Sequence, residues 1–112
     1  MRANPHRGEV PLRLDGRDYV LRPSFEALVA VEAERGSLLT MIERASAGEL
    51  LLDDIATLLW ACLRAGGAEL ERGQVGDLVM RMGLAAVTPA FRDVLTMALS
   101  GHALAEGATG DA

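Results

Sequence analysis

A chain of 112 residues, half of them hydrophobic but only 4% aromatic, holds material for one modest core of Leu, Val, Ala and Met. The net charge is −5 and all 11 positive residues are Arg, scattered and mostly beside acids, which argues against a nucleic-acid partner needing clustered positive charge. The longest apolar run, Ile55 to Leu63, is under half of the ~20 residues a bilayer requires, and one cysteine, Cys62, gives neither an intrachain disulfide nor a cysteine zinc cluster.

The opening stretch MRANPHRGEV carries no apolar segment of a signal peptide, so a soluble cytoplasmic chain without membrane contact is expected. Residues 1–7 are expected to form a flexible N-terminus. Residues 8–101 form the single globular domain, with a hairpin over 8–22 and helices over 24–100, and residues 102–112 form a flexible tail.

The hairpin rests on Asp15-Gly16, a dipeptide suited to a type I′ turn because both positions need positive φ. A two-residue loop sets Leu14 opposite Arg17, Arg13 opposite Asp18, Leu12 opposite Tyr19 and Val10 opposite Leu21. Glu9 then faces Arg22. Val10, Leu12, Tyr19 and Leu21 share one face, and the charge pairs share the other. Pro11 cannot donate to a ladder, which places the first strand at an edge. A hairpin alone is marginal in water, so its apolar face needs a cover.

Ser24 is positioned to cap a first helix that carries Phe25, Leu28, Val29 and Glu32 at helical spacing and stops at Gly36. Ser37 caps a second, with Leu38, Met41, Ile42 and Ala45, ending near Gly48. The third is the most regular. Asp53 caps it, and Ile55, Leu58, Leu59, Cys62 and Leu63 form a stripe before Gly66-Gly67. A short fourth helix runs from about Val75 to Met82, with Val75, Leu78, Val79 and Met82 inward and Gly83 as its end. The last carries Phe91, Val94, Leu95, Ala98 and Leu99. It starts either at Thr88-Pro89, since Pro suits a first helical position, or near Leu84.

Residues with chemical potential all have structural readings. His6 and His102 lie near the termini with no ligand partners at metal spacing. Cys62 falls on a buried stripe, where a free thiol behaves as a small hydrophobe. Asp53-Asp54 reads as cap and helix-dipole partner before it reads as a catalytic pair. Gly66-Gly67 lacks the Lys of a phosphate loop and reads as a helix terminator. A helix-turn-helix would need more exposed cations than Arg81 and Arg92 supply. Trp60 sits at the margin of the third helix's stripe. It either completes the core or anchors an interface, as Trp often does. No catalytic constellation remains, and neither a cofactor nor a metal is expected.

The segment NPHRGEVPLRLDGRDYVLRPSFEALVAVEAERG is similar to the start of the small tail-assembly chaperones of gene transfer agents and related tailed phages, some of which carry a tail-tube label. The features behind the resemblance are Arg7-Gly8-Glu9-Val10, Leu14-Asp15-Gly16, Tyr19, Leu21-Arg22, Glu32, Gly36 and Leu63-Arg64-Ala65-Gly66-Gly67, with a weaker likeness through GLAAVTPAFRDVLTMALSG. No one motif is specific. Their order and spacing carry the resemblance.

The resemblance implies a non-enzymatic factor that binds the tape-measure protein, keeps it soluble and helps tail-tube subunits assemble around it, in the bacterial cytoplasm or in association with the particle. A structural, tube-associated tail component is the alternative, and a small DNA-binding regulator is a lower one. The residues themselves give an α+β fold, mostly α: an N-terminal β-hairpin and a compact bundle of four to five short helices. Candidate interaction residues are Trp60 and, along the hairpin edge, Pro11, Leu12 and Arg13. That edge either closes one side of the core or joins copies into a homo-oligomer.

Overall fold

The computed structural model describes residues 8–100, without the side chain of Ser100. The expected flexible segments 1–7 and 102–112, with His6 and His102, lie outside the described residues. An antiparallel hairpin of β1 (Val10–Leu14) and β2 (Arg17–Leu21) precedes five helices. These are α1 (Phe25–Arg35), α2 (Leu38–Ala47), α3 (Leu52–Ala65), α4 (Arg72–Met82) and α5 (Leu84–Ser100).

The hairpin register is the expected one, from Leu14 opposite Arg17 to Val10 opposite Leu21. Asp15 and Gly16 take φ of 50° and 83°, the double positive φ of the type I′ turn. The ladder ends at Val10–Leu21, so the expected Glu9–Arg22 pair lies beyond it. Pro11 faces Val20 at a pair that exchanges no ladder bonds, and its missing N–H therefore falls on the outer edge. The turn is tied to the end of α4: the Asp15 amide donates to Met82 Sδ at 3.3 Å, and Arg81 pairs with the Asp15 carboxylate at 2.9 Å.

Val10, Leu12, Leu14 and Leu21 are buried in one core with α3, α4 and α5. β1 packs on α5 and α4, while β2 packs on α3, which also receives α1 and α4. Val20, on the face expected to be polar, is buried as well. Gly66 lies against its carbonyl: a Cβ at Gly66 would sit 2.2 Å from the Val20 oxygen. The Cys62 carbonyl accepts from Gly66 N at 3.0 Å and from Arg22 N at 2.9 Å, so the end of α3 closes the outer edge of β2.

The two glycines there have separate tasks. Gly67 takes the φ of 102° that ends the helix, with Gly67 N donating to Arg64 O and Ala68 N to Leu63 O. Gly66 has ordinary φ and is needed for its lack of bulk.

Ser24 and Ser37 cap α1 and α2 as expected, accepting from Ala27 N and Leu39 N, each at 3.1 Å. Glu32 reaches across Gly36 to accept from Leu38 N at 2.9 Å. Four expectations need correction. α3 starts at Leu52, and Asp53 is not its cap; the residue bonding back to Leu51 N is Asp54. α4 starts a turn earlier than Val75, because Gln74 accepts from Glu71 N at 2.8 Å and nucleates the turn there.

Phe25 is 82% exposed and Val29 is also outward, since α1 turns Ala27 and Val31 to the core and small Ala27 lets it lie close on α3. Leu99 is likewise exposed. Of the two starts considered for α5, Leu84 is the one adopted. Buried Val87, one turn before Phe91, extends the apolar face upstream and leaves Pro89 inside the helix. There the Thr88 hydroxyl donates to Leu84 O at 2.7 Å.

Leu12→Asp should unfold the domain, because losing a buried leucine and leaving a carboxyl without a partner in this core together cost an amount comparable to the roughly 5–15 kcal/mol that holds a domain of this size. Circular dichroism with gel filtration checks it; a folded Leu12→Asp chain would contradict the packing. Gly66→Ala should lower stability by about 1–3 kcal/mol in urea titration, since backbone at Val20 has nowhere to retreat.

Candidate functional site

The side chain of Trp60 projects from α3 and is half-buried. Its indole N–H donates to the Leu70 carbonyl at 3.0 Å, which fixes the ring against the segment between α3 and α4. Two guanidinium groups lie over the ring, Arg72 at 4.7 Å and Arg64 at 5.3 Å from its centre. Arg72 also donates to both carboxylate oxygens of Glu34 in α1, to one of them at 2.7 Å. The Arg72 hydrogen bond holds the Glu34 carboxyl below its ordinary range, and Glu34 in turn raises Arg72.

Open concavities flank this ledge. One of about 390 Å³ has a floor of Ala27, Ala30, Ala61 and Ala65. Another, of about 720 Å³, is walled by Leu70 and Glu71. A third, of about 470 Å³, runs along the outer side of α3 and α4 between Leu52 and Met80.

At the start of α3 is a charged cluster that no local sequence pattern announces. The Asp54 carboxylate is fully buried. It accepts from Arg35 Nε at 2.9 Å, Arg44 Nη2 at 3.0 Å and Leu51 N at 3.2 Å. One side chain thereby joins the ends of α1 and α2 to the start of α3. Burial pushes its pKa up, but the bonds from Arg35, Leu51 and Arg44 outweigh that and hold it below the ordinary aspartate value. Arg35 spans to Asp53 as well, at 3.1 Å. The two guanidinium groups keep 21% and 29% exposure, which lets water share their charge. Among the described residues no cluster of His, Cys, Asp or Glu could hold a metal ion.

The sequence candidates do not converge on one patch. Leu12 is in the core, Pro11 and Arg13 point outward, and Arg13 pairs with Asp18 at 2.7 Å. Trp60 lies on α3, which packs on β2, whereas β1 packs on α4 and α5. Cys62 is buried, and burial pushes its thiol up to about 12. The arrangement of apolar floors and arginine-clad aromatic rim is suited to binding side chains of another molecule. Residues missed from sequence are Asp54 as a hub, the Glu34–Arg72 link, and the outward Leu52 and Met80. Arg35 and Arg44, each in the last turn of its helix, were the available trace of the hub.

Residues 7–101 match the family model described as phage tail tube protein, GTA-gp10. No curated protein and no solved structure matches the chain. No helix among the described residues is long and apolar enough to cross a membrane.

Asp54→Asn keeps the shape and removes the charge. It should cost ~3 kcal/mol, the lower end for an unpaired buried partner because both arginines can rehydrate. The pH dependence has a defined sign. A carboxyl depressed in the folded state contributes stability above its unfolded value of about 3.9 and loses that contribution as pH falls through its folded value. Thermal melts should therefore fall in acid for the parent chain, and less so for Asp54→Asn. Parallel pH curves for the two would contradict the assignment.

Proposed function

The chain belongs to the family of the phage tail tube protein GTA-gp10, and on that premise we propose that it acts as a tail-assembly chaperone. In this reading it is a non-enzymatic factor of the host cytoplasm. It binds the tape-measure protein of a gene transfer agent or siphophage-like prophage, keeps that long chain soluble, and assists tube subunits in assembling around it. The observation that carries the reading is where the apolar surface lies. The hairpin's apolar face is enclosed in the core, while exposed large hydrophobics such as Phe25, Leu39, Leu52 and Met80 lie on helices. A surface of that kind suits helix-in-groove contact with an amphipathic helical partner.

The family's own description favours a second reading, a structural component of the tail. The two differ in the finished particle. Co-expression with the tape-measure protein should bring the long chain into the soluble fraction and copurify it with this one, and mass spectrometry of purified particles should then lack this chain. Its presence there in fixed stoichiometry, with no effect on tape-measure solubility, would replace the chaperone by the structural component.

A further inference from the structure

We infer that the outer groove between α3 and α4 seats one helix of the tape-measure partner, a helix whose apolar stripe is flanked by Lys or Arg. This inference rests on the chaperone reading and specifies where and by what chemistry the partner binds. Leu52 from α3 and Met80 from α4 form the walls of the groove and are 44% and 62% exposed. Ala56 forms its floor. Leu52, Ala56 and Trp60 succeed one another at four-residue steps, so the wall and the tryptophan ledge lie on one line about 12 Å long. Two helical turns of a partner, with anchors at i, i+4 and i+7, fit that span.

The α4 side of the groove carries Gly73 and Gly76 inside a helix. Neither has positive φ, and a Cβ at either would meet open space. Nothing in the chain's own backbone or packing requires glycine at these positions, and glycine weakens a helix interior relative to alanine. Their effect is external. They leave a flat strip on which another backbone can approach closely, between two exposed apolar walls.

Charge selects the occupant. Asp77 and Asp53 stand on the rim, but Asp53 is already paired with Arg35 at 3.1 Å, so Asp77 is the rim charge left for a partner. Asp77 is exposed and makes no ion pair among the described residues. The cation in the lining, Arg72, is already engaged by Glu34. A second copy of this chain would set acid against acid, with a net charge of −5 on each. A helix with basic flanks meets the rim with opposite charge.

The test uses the full chain and peptides of about 20 residues tiling the tape-measure protein, long enough to form a helix on binding, read by fluorescence anisotropy. The wild-type chain should bind peptides with a basic-flanked apolar stripe. Gly76→Leu should weaken that binding about tenfold or more while leaving the melting temperature equal or higher. Asp77→Arg should weaken it too and reduce its salt dependence. If both variants bind as the wild type does, the groove is not the seat, although the chaperone reading stands. If the wild-type chain binds neither the peptides nor the intact tape-measure protein, both fall. If Gly76→Leu instead abolishes self-association of the wild-type chain, the occupant is a second copy and the inference is overturned.

Discussion

Two strands of five residues cannot keep an apolar face from water without a second layer, and the cover that α3 supplies to β2 shapes the remainder of the molecule. The helix meets the hairpin in two ways. Its apolar stripe of Leu58, Leu59, Cys62 and Leu63 joins the same core as Val10, Leu12 and Leu21. The Cys62 carbonyl then accepts from Arg22 N just past β2, and Gly66 lies against the Val20 carbonyl. With that side occupied, β1 takes its cover from α5 and α4, and α1 packs on α3 beside it. The lone hairpin is thus a wall of the helical core.

The second organising element is electrostatic. Asp54 collects the arginines that end α1 and α2 at the point where α3 begins. A buried ion cluster of this kind is weak evidence for net stability, since desolvation offsets much of the attraction. Its geometric content is clearer. Three helix ends have to arrive together to satisfy one carboxylate, and that fixes the angle at which α2 leaves α1. α2 contributes little else to the core beyond Met41 and the half-buried Leu38, Ile42 and Ala45.

Legibility in the sequence followed the range of the interaction. The hairpin register was readable because Asp15-Gly16 and the alternation around it are local and agree. Ser24 and Ser37 were readable as caps for the same reason, and the resemblance to a tail family rested on the same short motifs. The direction of Phe25 was not, because helical spacing identifies a face only to within a residue or so, and here small Ala27 decided which side meets α3. Asp54 was read as a helix-start acid, which it is. Its partners, 19 and 10 residues away, belong to tertiary structure and leave no local pattern. The groove was invisible for a related reason: Gly73 and Gly76 look like helix-weakening noise until the space above them is known to be empty.

The shared carbonyl of Cys62 has a dynamic consequence. A hairpin in a small domain would ordinarily be a place for fraying, opening independently of the helices. Here the Arg22 and Gly66 amides bond to one acceptor, and the Val20 backbone has Gly66 against it. β2 cannot peel away without also disturbing the last turn of α3, and that turn carries Leu63 of the core and leads into the segment that holds Trp60. Hairpin, helix end and tryptophan ledge therefore form a single cooperative unit. Local opening of β2 is coupled to the end of α3 and to the ledge that Trp60 forms with Leu70.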